Sequence, residues 1–368
     1  MVFVPIDQLK EGMMLDRDVY LYDCKTSKVA MLRSGQVLNS AYIQKLNELH
    51  VLGAYIYTTK SDIDLEERNS PVRRELKEEA VSSVQQVFTM FHQAANQVSV
   101  SCIRQTMEVS KKLVTAMKSN REAKLSIANL KLYDDYTYNH SFGVSILSIA
   151  IGLALGLRTS DLYDLGFCAL LHDIGKMDVP IEIIAKPARL TREEFQIVKQ
   201  HPVKGAEFFH RHRLASPRIC AGVLTHHEKF DGSGYPKGLK GEQIPLIGRI
   251  ISVADVYDAL TSVRPYRKSS PPAEAIEYIM GGCDNLFDTN VVEAFLKKVS
   301  PYPVGSCVRL SNGEIAIVVE QNENHPLRPY IRMINSPDRV LDLYRERELQ
   351  HITVDGVCNI AAEETPNS

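Results

Sequence analysis

The sequence predicts a mainly helical protein with small β-rich pieces at its two ends, and three observations carry that reading. From Val72 to Phe142 there is neither proline nor glycine, the two strongest helix breakers. From about residue 125 to 300 one helix pattern follows another, several opened by a recognisable cap. Runs rich in β-branched and aromatic residues are confined to the first sixty residues and to the stretch after Pro301-Tyr-Pro303. At 368 residues the chain is long enough for two or three domains.

Residues 1–65 are read as a small α/β domain. Val2-Phe-Val-Pro-Ile6, Leu15-Asp-Arg-Asp-Val-Tyr-Leu-Tyr22 and Ala54-Tyr-Ile-Tyr57 read as short strands, and Asn39 or Ser40 caps a helix running to Leu49. His50 stands alone and is read as a surface residue. The charged stretch from Lys60 ends in Asn69-Ser70-Pro71, a linker end and helix start. Residues 70–125 form a long linking helix region. Leu76, Ala80, Val84, Val87, Phe88, Phe91, Ala95 and Val98 recur at three and four, and Leu113, Val114 and Met117 continue the face. Such a face is either the seam of a homodimer or a packed helix. Its spacing drifts from a strict heptad, which favours packing.

Residues 126–300 read as a bundle of helices. Tyr138 to Leu157 is apolar on most faces and is expected to be buried, and Leu162 to Leu171 follows it. Thr191-Arg-Glu-Glu194 has the form of a capping box before a helix running towards Phe209. Ser216-Pro217 opens a helix that reaches His226, Ile247 to Ser262 forms another, and Ser270-Pro-Pro272 opens the next. Between them Asp231-Gly-Ser-Gly-Tyr-Pro-Lys-Gly-Leu-Lys-Gly241 is too rich in glycine for helix or strand. Residues 301–360 are a C-terminal β extension, a hairpin with Asn312-Gly313 in its turn and a third strand from Tyr330, and 361–368 read as a disordered tail.

Charge and cysteine usage narrow the function classes. A net charge of -2, from 43 basic and 45 acidic residues, provides no global field for a nucleic-acid polymer or an anionic membrane, so an anionic ligand needs a local site. The seven cysteines are odd in number and never spaced Cys-X-X-Cys, which fits free thiols in a reducing cytoplasm. No apolar run has the length of a membrane span, and no signal-like segment opens the chain.

The chemistry lies in a scattered set of metal-competent side chains. Leu170-Leu-His-Asp-Ile-Gly-Lys176 ends an apolar helix with adjacent His172 and Asp173, where Gly175 allows a turn and Lys176 adds a cation. His140 begins a buried helix, His201 precedes Pro202, the pair His226-His227 ends another helix, and Asp255 stands in apolar Ser252-Val-Ala-Asp-Val256. A carboxylate there is costly unless paired or ligating. Taken singly, His140 can be a cap, His201 a surface imidazole, and Asp255 a partner for Arg249 or Arg264. Taken together, seven candidate ligands from separate helices are enough for two ions sharing a carboxylate. His210 and His212, in a polar helix end, are left on the surface.

These motifs, with His226-His-Glu228, Asp231-Gly-Ser-Gly234-Tyr235-Pro236, Val253-Ala-Asp255-Val-Tyr-Asp258 and Arg264-Pro-Tyr-Arg267, resemble the HD-GYP subgroup of the HD-domain phosphohydrolases over about residues 130–300. The resemblance implies an all-helical HD-type catalytic bundle and hydrolysis of cyclic di-GMP to linear pGpG, with a further cut to GMP left open. It implies two divalent ions, iron or manganese with other transition metals left open, held by His140, His172, Asp173, His201, His226, His227 and Asp255, with Asp173 bridging. Attack by a hydroxide shared between the ions is the implied chemistry. Lys176 would act at the scissile phosphate or help the leaving group, Tyr235 would border a guanine on a loop shaped by Gly234 and Pro236, and Arg264 and Arg267 would hold phosphate. Some members carry a glutamate four residues before the first histidine as a ligand to a third metal. Tyr136 stands there, with Asp135 before it, so a dinuclear site is expected. A catalytically weak cyclic di-GMP sensor or scaffold, an HD hydrolase acting on another nucleotide, and protein partners in signalling are the alternatives that the residues leave open.

Overall fold

A computed structural model of the chain describes residues 2–6, 9–15, 19–20, 30–48, 53–56, 71–93, 100–120, 124–125, 136–184, 186, 188–212, 214–262, 270–322 and 325–357. The chain divides into two compact units, residues 1–70 with 263–268, and residues 71–262 with 269–368.

In the first unit, β1 (Val2–Pro5) pairs antiparallel with β4 (Gly53–Ile56), and β2 (Val19–Tyr20) pairs with β3 (Ala30–Leu32). The single helix among its described residues, α1 (Ser40–Glu48), is capped by Asn39, whose Oδ1 accepts the Tyr42 N–H at 2.8 Å. Leu15, Leu38, Leu46, Ala54 and Ile56 form its own small core.

The second unit opens with α2 (Arg74–Gln93) and α3 (Val100–Ser119), which divide the apolar face read from the sequence as one long helix. The two pack side by side, with Lys112 Nζ donating to Glu79 Oε1 at 2.6 Å. In one straight helix, residues 33 apart would be separated by about 50 Å, so the chain folds back on itself. Ala80, Val84, Val87 and Phe88 from α2 and Val109, Leu113, Val114 and Met117 from α3 are buried in the unit's own core. Among the described residues this face is covered by the same chain; Ala95, Val98 and the side chain of Phe91 lie outside them.

That core is centred on α4 (Tyr136–Ala154), whose residues 140–153 are all buried, as its all-round apolar pattern predicts. Full burial of each large apolar side chain there, such as Phe142 or Ile146, contributes about 1.5–3 kcal/mol. Next come α5 (Thr159–Leu170), a 3₁₀ turn (Ile174–Asp178), the short α6 (Ile181–Ile184) and α7 (Arg192–Val198). The capping box is formed at both ends: Thr191 Oγ1 accepts the Glu194 N–H, and Glu194 Oε2 accepts the Thr191 N–H at 2.7 Å. The expected helix to Phe209 is two helices. α7 stops at Val198 and α8 (His201–His212) starts afresh, because Pro202 has no N–H to continue the ladder and suits a first turn.

The remaining helices are α9 (Pro217–Thr225), α10 (Leu246–Thr261), α11 (Pro272–Gly281) and α12 (Thr289–Lys298). Ser216 Oγ accepts the Ile219 N–H at the start of α9, as its Ser-Pro signal predicts. After α12 the expected hairpin, β5 (Cys307–Leu310) with β6 (Ile315–Glu320), forms around Gly313 at φ +86°. It is part of a larger sheet with β7 (Tyr330–Met333), β8 (Ser336–Asp342) and β9 (Val354–Val357), antiparallel in the order β8-β7-β6-β5-β9. Val308, Leu310, Ala316, Val318 and Ile331 bury one face of it. No helix among the described residues is long and apolar enough to cross a membrane.

Candidate metal centre

The bundle brings all seven candidate ligands to one buried centre. His140 comes from the start of α4, His172 and Asp173 from the junction of α5 with the 3₁₀ turn, His201 from the start of α8, His226 and His227 from the end of α9, and Asp255 from α10. His172 and His226 are fully buried, and His201, Asp173, His140 and Asp255 are at most 9% exposed. The donor atoms fall into two groups, Asp173 with His201, His226 and His227, and His140 with His172 and Asp255, each compact enough to surround one ion.

Asp173 stands between them. Its Oδ1 lies 3.3 Å from His201 Nε2 and 3.9 Å from His226 Nε2. Its Oδ2 lies 3.5 Å from His172 Nε2, 3.9 Å from His140 Nε2 and 2.5 Å from Lys176 Nζ. Asp255 also reaches both groups, with Oδ1 at 3.1 Å from His140 Nε2 and Oδ2 at 3.8 Å from His227 Nδ1.

The imidazoles are held in one sense by helix ends. The Nδ1 atoms of His172, His201 and His226 lie 2.8, 2.7 and 2.7 Å from the carbonyl oxygens of Ala169, Val198 and Val223. These carbonyls belong to the last turns of α5, α7 and α9, where no intrahelical partner exists. A carbonyl only accepts, so each Nδ1 carries the proton and each Nε2 turns its lone pair into the centre. His140 is oriented differently, with Nδ1 2.7 Å from Asp258 Oδ2.

The electrostatics match this arrangement. Burial disfavours charge on His172 and His226 and lowers both, His226 well below the usual imidazole range, with neighbouring histidines adding to its shift. Burial likewise brings His227 down to about 3. Burial opposes a charge on His140 too, but its hydrogen bonds to the accepting carboxylates of Asp255 and Asp258 outweigh it and raise it to about 9. For Asp173 burial is outweighed by Lys176, His172 and His201, and for Asp255 by His140 and His227, so both stay well below the ordinary carboxylate range. His172 Nε2 and Asp173 Oδ1 are buried with no hydrogen bond. A buried unsatisfied donor or acceptor costs about 1–3 kcal/mol, and a cation in each donor group would remove that cost. The mixed nitrogen and carboxylate set suits divalent transition ions, so the residues fit a metal.

Gly175 lies in the 3₁₀ turn, and what requires glycine there is close approach. Its φ is not among the left-handed values, whereas a Cβ added there would lie 2.0 Å from His201 O and 2.6 Å from Gly205 N. The strand of backbone holding Asp173 is thereby pressed onto the helix holding His201.

The glycine-rich loop borders the centre. Tyr235 stacks on His227 with ring centroids 4.9 Å apart and planes at 28°, and its N–H donates to His227 O. A Cβ on Gly234 would lie 2.3 Å from Lys229 N, so the loop doubles back on its own backbone there. Pro236 follows Tyr235 through a cis peptide bond. Glu228, 2% exposed, pins the far side, with Oε1 accepting the Lys237 N–H at 2.7 Å and Oε2 the Leu239 N–H at 3.1 Å.

Glu228 and Asp258 are the residues to which the sequence reading attached no task. Asp258 lies one helical turn beyond Asp255, a spacing that puts both carboxylates on one face of α10. Glu228 directly follows two histidines and precedes the loop it holds. Arg249 is paired with Asp288, not with Asp255. His210 is exposed and His212 rests against Phe208. Asp135, Arg264 and Arg267 lie outside the described residues, as does the side chain of Tyr136.

Comparisons with known proteins agree with this architecture. Residues 105–291 match the family model described as "HD domain", and residues 307–350 match the "KOW domain associated with HD domain". A protein named cyclic di-GMP phosphodiesterase from Pseudomonas aeruginosa is 35% identical over 95% of this chain and 90% of its own length. Another of that name from Borreliella burgdorferi is 34% identical over 60% of this chain and 58% of its own. The solved structure of "Bd1817, a HDG"Y"P protein from Bdellovibrio bacteriovorus" has the same fold at 19% identity and a TM-score of 0.51, covering 80% of this chain and 97% of that one. From a helical bundle that gathers His172, Asp173 and five further donors, with a family model over half its length and a relative aligned almost end to end, the chain belongs to the HD-domain family.

Proposed function

We propose that the protein is a metal-dependent phosphodiesterase that hydrolyses cyclic di-GMP to linear pGpG. The observation that carries the reading is the position of Asp173, whose two oxygens face separate donor groups beside an aromatic loop. The names of the relatives from P. aeruginosa and B. burgdorferi support the substrate.

Asp173, His201, His226 and His227 would hold one ion, and His140, His172 and Asp255, with the second oxygen of Asp173, the other. Iron or manganese is the assignment that the family resemblance implies, and the nitrogen and carboxylate donors suit other divalent transition ions as well. Bound there, divalent ions supply an acidified water at neutral pH and neutralise charge growing on the phosphoryl oxygens.

The chain's own groups do the rest. The apolar walls of α4, α5 and α10 exclude bulk water, which strengthens every charge interaction inside. Burial disfavours the charged form of His172 and His226, so these two bind without first releasing a proton. Lys176 Nζ is the ammonium placed at the carboxylate, and we assign it to the scissile phosphate or the leaving oxygen. Tyr235 offers a ring to a base. Arg264 and Arg267 are assigned to phosphate.

The test is direct. Protein purified anaerobically and loaded with Fe(II) or Mn(II) is incubated with cyclic di-GMP, and products are followed by chromatography alongside metal analysis. The expected result is pGpG with two ions per chain. Tight binding without product in every metal would leave a sensor, and three tightly held ions would refute the dinuclear assignment.

A further inference from the structure

The aromatic loop has a neighbour that no motif marks. On α7, Phe195 is 43% exposed, unusual for so large an apolar ring, and its ring meets Tyr235 edge-on at 6.5 Å between centroids. Lys199 follows four residues later, and its N–H donates to Phe195 O at 2.9 Å, so one helical turn places both on the same face. Lys199 Nζ lies 5.1 Å from the centre of the Phe195 ring and 5.3 Å from that of Tyr235.

This ammonium is set apart by the two rings it lies over. Lys176 is on Asp173 and Lys186 is on Glu194, whereas no carboxylate pairs with Lys199 among the described residues. A half-buried cation steadied by two rings and left without a counter-charge is a donor kept for something outside the chain. Its distance from the centre selects what that is. Tyr235 already stacks on His227, so Lys199 lies one ring further out than the donor atoms. When a phosphate sits at the centre, a nucleobase one sugar away reaches that layer.

We infer that Lys199, held over Phe195 and Tyr235, reads the Hoogsteen edge of a guanine and sets the base preference of the enzyme. Guanine presents two acceptors there, O6 and N7, and Lys or Arg to these atoms is the commonest specific contact to that base. Adenine presents N7 beside an N6 amino donor, which an ammonium meets poorly. The exposed Phe195 ring supplies a face for the base, and the cation chooses which base. The inference rests on the functional reading above and names a specificity residue for it.

Lys199→Met keeps the length of the side chain and removes its charge. With metal-loaded protein, dissociation constants and kcat/KM are measured for cyclic di-GMP and cyclic di-AMP. The expected result is a fall of about 10- to 100-fold for cyclic di-GMP, carried by KM and Kd, with cyclic di-AMP unchanged and metal content intact. Lys199→Arg, a fork matched to O6 and N7, should keep the preference. An equal fall for both ligands would make Lys199 a phosphate contact, and no change would make it a bystander, and either overturns the inference. If the wild type binds both ligands and cuts neither, the functional reading fails while the Kd ratio still decides on Lys199. If it binds neither, both fail.

Discussion

Replacing Gly175 by alanine should dismantle the metal centre without touching a ligand. The added Cβ would sit 2.0 Å from His201 O and 2.6 Å from Gly205 N, both backbone atoms of α8. Neither can rotate away, so relief requires α8 and the 3₁₀ turn to separate until the contact reaches ordinary van der Waals distance. That opening is about 1 Å or more, several times the roughly 0.2 Å within which metal–ligand distances hold. His201 Nε2 and Asp173 Oδ1, now 3.3 Å apart, lie on opposite sides of the gap. The variant should lose at least one ion per chain by elemental analysis, lose turnover with it, and be destabilised by about 1–3 kcal/mol of overpacking in a denaturant titration. Gly205→Ala is the graded control. Its Cβ meets Val223 Cγ1 at 2.9 Å, a side chain able to shift, so a smaller loss of stability and full metal are expected. Wild-type metal content and activity in Gly175→Ala would refute the argument that this contact holds the two ligands in register.

Two further perturbations separate the centre from the loop. Gly234→Ala forces the loop off Lys229 N and Glu228 Cα and moves Tyr235 by about 1 Å, which should cost on the order of 100-fold in kcat/KM while elemental analysis still finds the metal. Asp258→Asn removes the carboxylate that orients His140 and should weaken metal affinity by about 10- to 100-fold in a competition with a chelator, with the other histidines unaffected in their geometry.

The seven donors were legible because residue type itself carries the chemistry: adjacent His172 and Asp173, paired His226 and His227, and a carboxylate inside apolar α10 are each expensive or idle in an ordinary core. Their nearness to helix ends was legible too, and the structure supplies its reason in the carbonyls of Ala169, Val198 and Val223. The roles of Asp258 and Glu228 were not legible, because they depend on which segments meet. Asp258 is 118 residues from His140, and Glu228 acts on amides whose side chains say nothing about it. The break between α2 and α3 was hidden for a related reason. Both helices present apolar residues at the same period, and periodicity alone does not tell a continuing helix from a returning one. The hairpin was visible through Asn312-Gly313 and the third strand through the run from Tyr330, while β9, which closes the other edge of the sheet, is four residues long, half exposed and interrupted by Gly356.

Orienting three imidazoles with main-chain oxygens has a genetic consequence. No point substitution at Ala169, Val198 or Val223 deletes the acceptor, since every amino acid brings the same carbonyl, and a side-chain scan of those positions would register only packing. His140 has no such protection, because a single base change at the Asp258 codon can remove its partner. Drift in this centre is therefore expected to enter at the His140 side first, while the other three histidines stay aimed for as long as their helices end where they do.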